Sequence, residues 1–192
     1  MPFELILQNI SRYITLTTEE KDFFTSLLHP KTVKRKQVHF KEGDICKDTT
    51  FVVAGCLRGY MVDKNGFEHV LSFAAPDWWI ADMHSFISQQ PGYMTIEALA
   101  DTEVLLLSKT DQEILYKQVP KFERFFRILI EKSLVANQQR LIDNFSLTAE
   151  ERYHNLCKRY PGMIESVPQK HIASYLGITP EFLSKLRGRK SI

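Results

Sequence analysis

Cysteine is scarce here. Cys46, Cys56 and Cys157 stand far apart, with no C-x-x-C pair and no Cys/His spacing of the kind that holds zinc or an iron–sulfur cluster. Free cysteines without a signal peptide point to a reducing cytoplasm. No apolar run approaches membrane-spanning length, and there is neither an internal repeat nor a low-complexity segment. The most informative absence is of positive charge. No Lys or Arg occurs between Lys64 and Lys109, a span that holds Glu68, Asp77, Asp82, Glu97, Asp101 and Glu103. An anionic phosphate needs paired donors, usually an arginine fork. This span offers only backbone N–H groups, hydroxyls and two histidines. A catalytic constellation is missing too. Asp82 and His84 lie two apart, Cys46 and Cys56 sit among strand-like runs, and nothing joins a nucleophile to a base. No catalytic residue, no metal site and no cofactor is therefore assigned, and no enzyme activity is expected.

What is present is unevenly charged. The net charge of +2 over 192 residues hides a division. From Thr148 on, 8 Lys and Arg face 4 Asp and Glu, a local charge of +4; the remainder carries 17 against 19, or −2. The length suits one or two domains with a sizeable core.

Residues 3–29 read as helical with a break, Thr17 and Glu20 forming a capping-box pattern ahead of Phe23, Phe24, Leu27 and Leu28. Lys31 to Lys41 alternate with Val33, Val38 and Phe40, as in an edge strand with a wet face. From Val33 to Leu107 the pattern is of short strands: Phe51 to Val53, Leu57 to Val62, His69 to Phe73, Met94 to Leu99 and Val104 to Leu107. Turn signals part them, and Asn65-Gly66 marks a hairpin. Short strands at this spacing, with no helices among them, predict a jelly-roll or small barrel.

Helix resumes at Thr110-Asp111. After Pro120 a run without Pro or Gly extends from Lys121 to Phe145. Phe122, Phe126 and Leu129 extend its apolar face N-terminally, and Ile130, Leu134, Asn137 and Leu141 recur at heptad spacing, a seam for dimerisation shared with Phe126, with Asn137 fixing register. The alternative, a helix packed along its own β-domain, suits the Phe-rich first half equally well. Thr148 and Glu151 form a second capping box.

Pro168 to Arg187 carries the clearest motif. Ile172, Ala173 and Leu176 share a helix face; Gly177 ends that helix in a backbone conformation that favours glycine; Thr179 caps a second helix with Pro180 at its first position. Leu183 and Leu186 face inward. Two short helices joined by a tight glycine turn are a helix-turn-helix, which lays its second helix in the DNA major groove. The candidate DNA contacts are Gln169, Lys170, Thr179, Pro180, Glu181, Ser184, Lys185, Arg187, Arg189 and Lys190. A plain helical hairpin with a solvated polar face is the competing interpretation.

Taken in order, Phe51 to Gly55, Pro76 to Ile80, Ile96 to Ala98, Thr148 to Tyr153 and Ile172 to Arg187 resemble a Crp/Fnr-type transcription regulator over essentially the whole chain. The resemblance implies an α+β fold: a cyclic-nucleotide-binding-like, jelly-roll-like β-roll with flanking helices (1–119), a long dimerisation helix (120–146) and a helical DNA-binding domain (147–192). It implies a homodimer on a roughly palindromic operator in double-stranded DNA, with RNA polymerase as a further partner, in the cytoplasm and off the membrane. Three departures matter. Where the family's cyclic-nucleotide readers have Gly-Glu-Leu and a later Arg with Ser or Thr, this chain has Ala81-Asp82-Met83 and Gly92-Tyr93. The phosphate arginine is missing, so cyclic AMP is not expected to bind. The recognition helix holds Pro180-Glu181 and Lys185 where the family often has Arg-Glu and a later Arg, so the operator should differ. The stretch after Arg187 is too short for a full β wing, which is expected to be truncated or absent. Tyr60, Phe73, Trp79, Asp82, Met83, His84, Tyr93 and Met94 are the candidate lining of an effector pocket, against the simpler expectation that the aromatics are core. The rival function is a small-molecule-binding or interaction protein of the same fold that has lost specific DNA binding.

Overall fold

In the computed structural model, which describes residues 3–160, 162, 164 and 167–188, apolar burial places the first helix and a side-chain cap the second. Helix α1 (Glu4–Ser11) buries Ile6 and Ile10, one turn apart. Helix α2 (Thr18–Ser26) starts at the expected capping box: the Thr17 hydroxyl accepts the Glu20 N–H, and the Glu20 carboxylate accepts the Thr17 N–H at 2.8 Å. Lys121 donates to the same carboxylate at 2.8 Å; its ammonium and the Thr17 amide hold Glu20 below the ordinary carboxyl range.

Eight strands follow: β1 (His29–Val33), β2 (Val38–Phe40), β3 (Asp48–Ala54), β4 (Leu57–Val62), β5 (Glu68–Ala74), β6 (Trp79–Ile80), β7 (Thr95–Ala98) and β8 (Thr102–Ser108). They form two four-stranded sheets, in the orders β1-β8-β3-β6 and β2-β7-β4-β5. The basic stretch Lys31–Lys41 supplies an edge to each, as β1 and β2, rather than one strand; Lys36 turns between them at φ 67°. The hairpin at Asn65-Gly66 is present, its turn held by Asp63, whose carboxylate accepts the Asn65 and Phe67 N–H groups. The expectation of no helix among the strands is corrected. Helix α3 (Met83–Ser88) lies between β6 and β7 because Asp82 caps it, accepting the Ser85 N–H at 2.9 Å.

Strand alternation sends β3 and β8 to two cores at once. Val52 and Val104 point between the sheets, where they meet Val33, Leu57, Ile96 and Ala98. Phe51, Leu105 and Leu107 point the other way, onto Ile6, Ile10, Phe24, Leu115 and Phe122. Strands buried on both faces lose the polar alternation of a half-wet strand, which is why they read as Phe51-Val52-Val53 and Val104-Leu105-Leu106-Leu107. Helix α4 (Lys109–Gln118), capped by Ser108, and the start of α5 (Lys121–Ser146) complete the helical layer.

Contacts divide the chain into two units, Met1–Gly59 with Phe73–Lys132, and Tyr60–Ser72 with Ser133–Ile192. The division cuts α5 at Lys132. Its Phe-rich first turns, Phe122, Phe125 and Phe126, belong to the first unit's core. Phe126 is only 7 % exposed and stacks edge-on with Trp79 at 5.5 Å, so its place on the dimer seam is corrected to a place inside its own unit.

Candidate nucleic-acid interface

Helix α6 (Ala149–Arg159) begins at the second expected capping box. Thr148 accepts the Glu151 N–H, and Glu151 accepts both the Thr148 N–H and its hydroxyl at 2.8 Å. Helix α7 (Gln169–Leu176) buries Ile172 and Ala173 completely, and Leu176 nearly so. It ends at Gly177, φ 68°. The Gly177 N–H donates to Ser174 O at 3.1 Å and the Ile178 N–H to Ala173 O at 3.0 Å, the paired closure of a left-handed C-cap. Thr179 then opens α8 (Pro180–Gly188), its hydroxyl accepting the Phe182 N–H at 3.2 Å. Leu183 and Leu186 turn inward.

That packing leaves the opposite face of α8 bare. Thr179, Pro180, Glu181, Ser184, Lys185 and Arg187 are all exposed, as are Gln169 and Lys170 at the start of α7. A face carrying hydroxyls, a carboxylate, an ammonium and a guanidinium has both donors and acceptors for base edges and phosphates. Arg189 and Lys190 lie outside the described residues. Phe182, 45 % exposed, also lies on α8, unremarked in the sequence because its neighbours are polar.

Sequence reasoning missed the two arginines that hold the first helix of this pair. Arg140, on α5, donates to the carbonyls of Leu71, Val70 (3.1 Å) and Tyr175 (3.0 Å), and its guanidinium lies 3.9 Å over the Tyr175 ring. Burial pushes its pKa down and that of the Tyr175 phenol up. Arg152, on α6, donates to Leu147 O at 3.0 Å and Leu176 O at 3.2 Å. Two cations thus cap the last carbonyls of α7, the negative end of its dipole. Ser174 adds a third tie: its hydroxyl donates to Glu68 O and accepts the Val70 N–H.

Residues 30–118 match the cyclic nucleotide-binding domain model. An anaerobic regulatory protein of Haemophilus influenzae is 27 % identical over 189 residues, covering 91 % of this chain and 72 % of its own. Among solved structures, FixK2 from Bradyrhizobium japonicum aligns with a TM-score of 0.72 at 18 % identity, over 84 % of this chain and 83 % of its own. The Thermus thermophilus catabolite activator protein aligns at 0.59 and 20 %, over 91 % and 83 %. Over nearly its whole length the chain is thus similar to regulators of the Crp/Fnr type.

In this chain the proposed effector residues do not gather around one space. Trp79 faces the helical core, against Phe51 at 5.2 Å, while Met94 packs with the core between the sheets. Phe73 is buried; Met83, His84 and Tyr93 are exposed, His84 and Tyr93 ring to ring at 4.5 Å. Tyr60 falls in the second unit. The expected pocket lining is therefore corrected: alternation along the strands parts these side chains. A cavity of about 460 Å³ in the first unit is lined instead by residues 13–17 with Lys121 and Arg124.

Asp82 is the informative member. It is 4 % exposed, and its carboxylate accepts the N–H groups of Ser85, Tyr93 (2.8 Å) and Met94 (3.2 Å). Gly92 fits beside it because a Cβ there would meet Asp82 Oδ2 at 2.7 Å. Arg58, buried on β4, pairs with Glu97 on β7. Along α5, Ile130, Leu134, Asn137 and Leu141 are all exposed, and Val135, Ile142 and Phe145 with them.

Among the described residues no group of His, Cys, Asp or Glu is gathered to hold a metal ion, and no helix is long and apolar enough to cross a membrane.

Proposed function

We propose that this chain is a Crp/Fnr-type, sequence-specific regulator of transcription that binds double-stranded DNA as a homodimer, in the cytoplasm, without catalytic activity. The observation that carries the reading is the capped, glycine-turned pair α7–α8, whose second helix buries Leu183 and Leu186 and leaves Thr179, Glu181, Ser184, Lys185 and Arg187 bare. Glu181 suits a cytosine amino group, and Lys185 a guanine edge or a phosphate. The exposed apolar stripe of α5 supports the homodimer, and RNA polymerase is the partner that transcriptional regulation requires.

The effector domain is read as degenerate. Its amide donors at Ser85, Tyr93 and Met94 already hold a carboxylate, that of Asp82, and the one nearby buried arginine named above, Arg58, is spent on Glu97. Neither is free for a cyclic phosphate, so calorimetry should detect no micromolar cyclic AMP binding.

A mobility-shift assay on DNA selected from a random pool tests the main reading. Affinity should fall steeply with salt, on the order of 10³-fold between 50 and 200 mM for about six phosphate contacts. Absence of any selected site, or binding indifferent to salt, defeats it.

A further inference from the structure

We propose that the second unit holds a site for a compact tetrahedral oxyanion, of the class of phosphate or sulfate, in the cavity between the C-terminal half of α5, α6 and α7. Three guanidiniums line it: Arg140 from α5, and Arg152 and Arg159 from α6. One carboxylate, Asp143, faces them, and it already accepts from Gln139 Nε2 at 2.7 Å. Arg159 has no carboxylate partner among the described residues, and its charge acts on the Tyr175 phenol.

The decisive group is Arg152. Its two terminal nitrogens are spent on Leu147 O and Leu176 O, while its Nε is buried and has no acceptor among the described residues. Buried polar atoms are nearly always paired, and one on a cation is costly to leave alone. A water molecule would satisfy the N–H but leave the excess positive charge; an oxyanion answers both. The room is about 30 Å³, enough for about two waters or one small oxyanion. It is too small for a nucleotide. Because each helix contributes a lining side chain, an ion bound there joins α6 and α7 to the long helix and stiffens the seat of the recognition pair.

The test uses the full chain and inorganic phosphate, with chloride at matched ionic strength as reference and phenyl phosphate as the bulky arm. Phosphate should raise the melting temperature above that in chloride, and titration calorimetry should give one site per chain. The gain should vanish in Arg159→Gln and weaken in Asn155→Ala, both of which spare the caps of α7. It should persist in the double variant Lys185→Gln, Arg187→Gln, which strips the exposed cations from α8 and, on the proposed function, abolishes DNA binding independently. Phenyl phosphate should bind at least tenfold more weakly. Equal stability in phosphate and chloride, a gain surviving in Arg159→Gln, a gain lost with the α8 cations, or equal binding of phenyl phosphate would each overturn the site.

Discussion

Gly55 and Gly177 both hold positive φ, 88° and 68°, yet they answer different demands. A Cβ on Gly177 would meet nothing within 4 Å, so alanine there costs only the left-handed backbone, about 1 kcal/mol. A Cβ on Gly55 would stand 2.5 Å from Asp101 O and from Thr102 Oγ1, and the backbone at Asp101 and Thr102 would have to shift. Gly55→Ala should therefore cost more than about 2 kcal/mol, and urea midpoints on the two variants should rank them so. His39 makes a second residue-scale case. Its Nε2 lies 2.9 Å from Thr50 Oγ1, and burial, with Lys31 nearby, lowers its pKa from 6.5 to about 4. Between those two values the unfolded chain binds a proton that the folded chain refuses. Stability from this group is thus complete above pH about 6.5 and is lost as pH falls towards about 4. His39→Asn should flatten the pH dependence of the urea midpoint across that window and leave it unchanged above.

Between elements, the ties that matter are those with long sequence separation. Arg140 reaches Val70 and Tyr175, 70 and 35 residues away. Arg140→Ala strands three carbonyls and removes a stacked cation, a loss of about 2–4 kcal/mol confined to the second unit. Hydrogen exchange should show α7 amides exchanging faster, while those of β3 and β8 keep their protection. These ties also explain what could be read beforehand. Capping boxes at Thr17 and Thr148, the glycine stop at 177 and the hairpin at Asn65-Gly66 are local codes, written within four residues, and all four are where the pattern puts them. Helix α3 was not legible because six residues carry no periodicity and its cap, Asp82, has no glutamate three positions on. The effector lining was misread for a related reason. Aromatic content between Phe73 and Met94 says that side chains are buried, but only the pleat of β6 says that Trp79 and Ile80 enter different cores. The arginine ties escape any sequence pattern, since backbone carbonyls carry no sequence signature.

For the whole molecule, the exposed stripe on α5 is the feature with the largest consequence. Leu134 and Leu141 are each 56 % exposed and Phe145 85 %, with Ile130, Val135 and Ile142 beside them. Apolar residues grouped on a helix in this way are costly in water and are the mark of an interface. Asn137 within the stripe suits a two-stranded pairing, in which one polar residue sets register at some expense of stability. Leu134→Glu places a carboxylate at the centre of that pairing. Burying it unpaired should weaken dimerisation at least 100-fold, on the order of 3 kcal/mol, read by sedimentation equilibrium. DNA binding should follow. A monomer contacts one half-site, so the slope of log affinity against log salt should fall to about half that of the dimer. Lys185→Gln acts otherwise: the dimer remains, and the slope drops by about 2, one phosphate contact per subunit. A Leu134→Glu protein that stays dimeric, or binds its operator with the full salt slope, would show that the stripe serves something other than self-association.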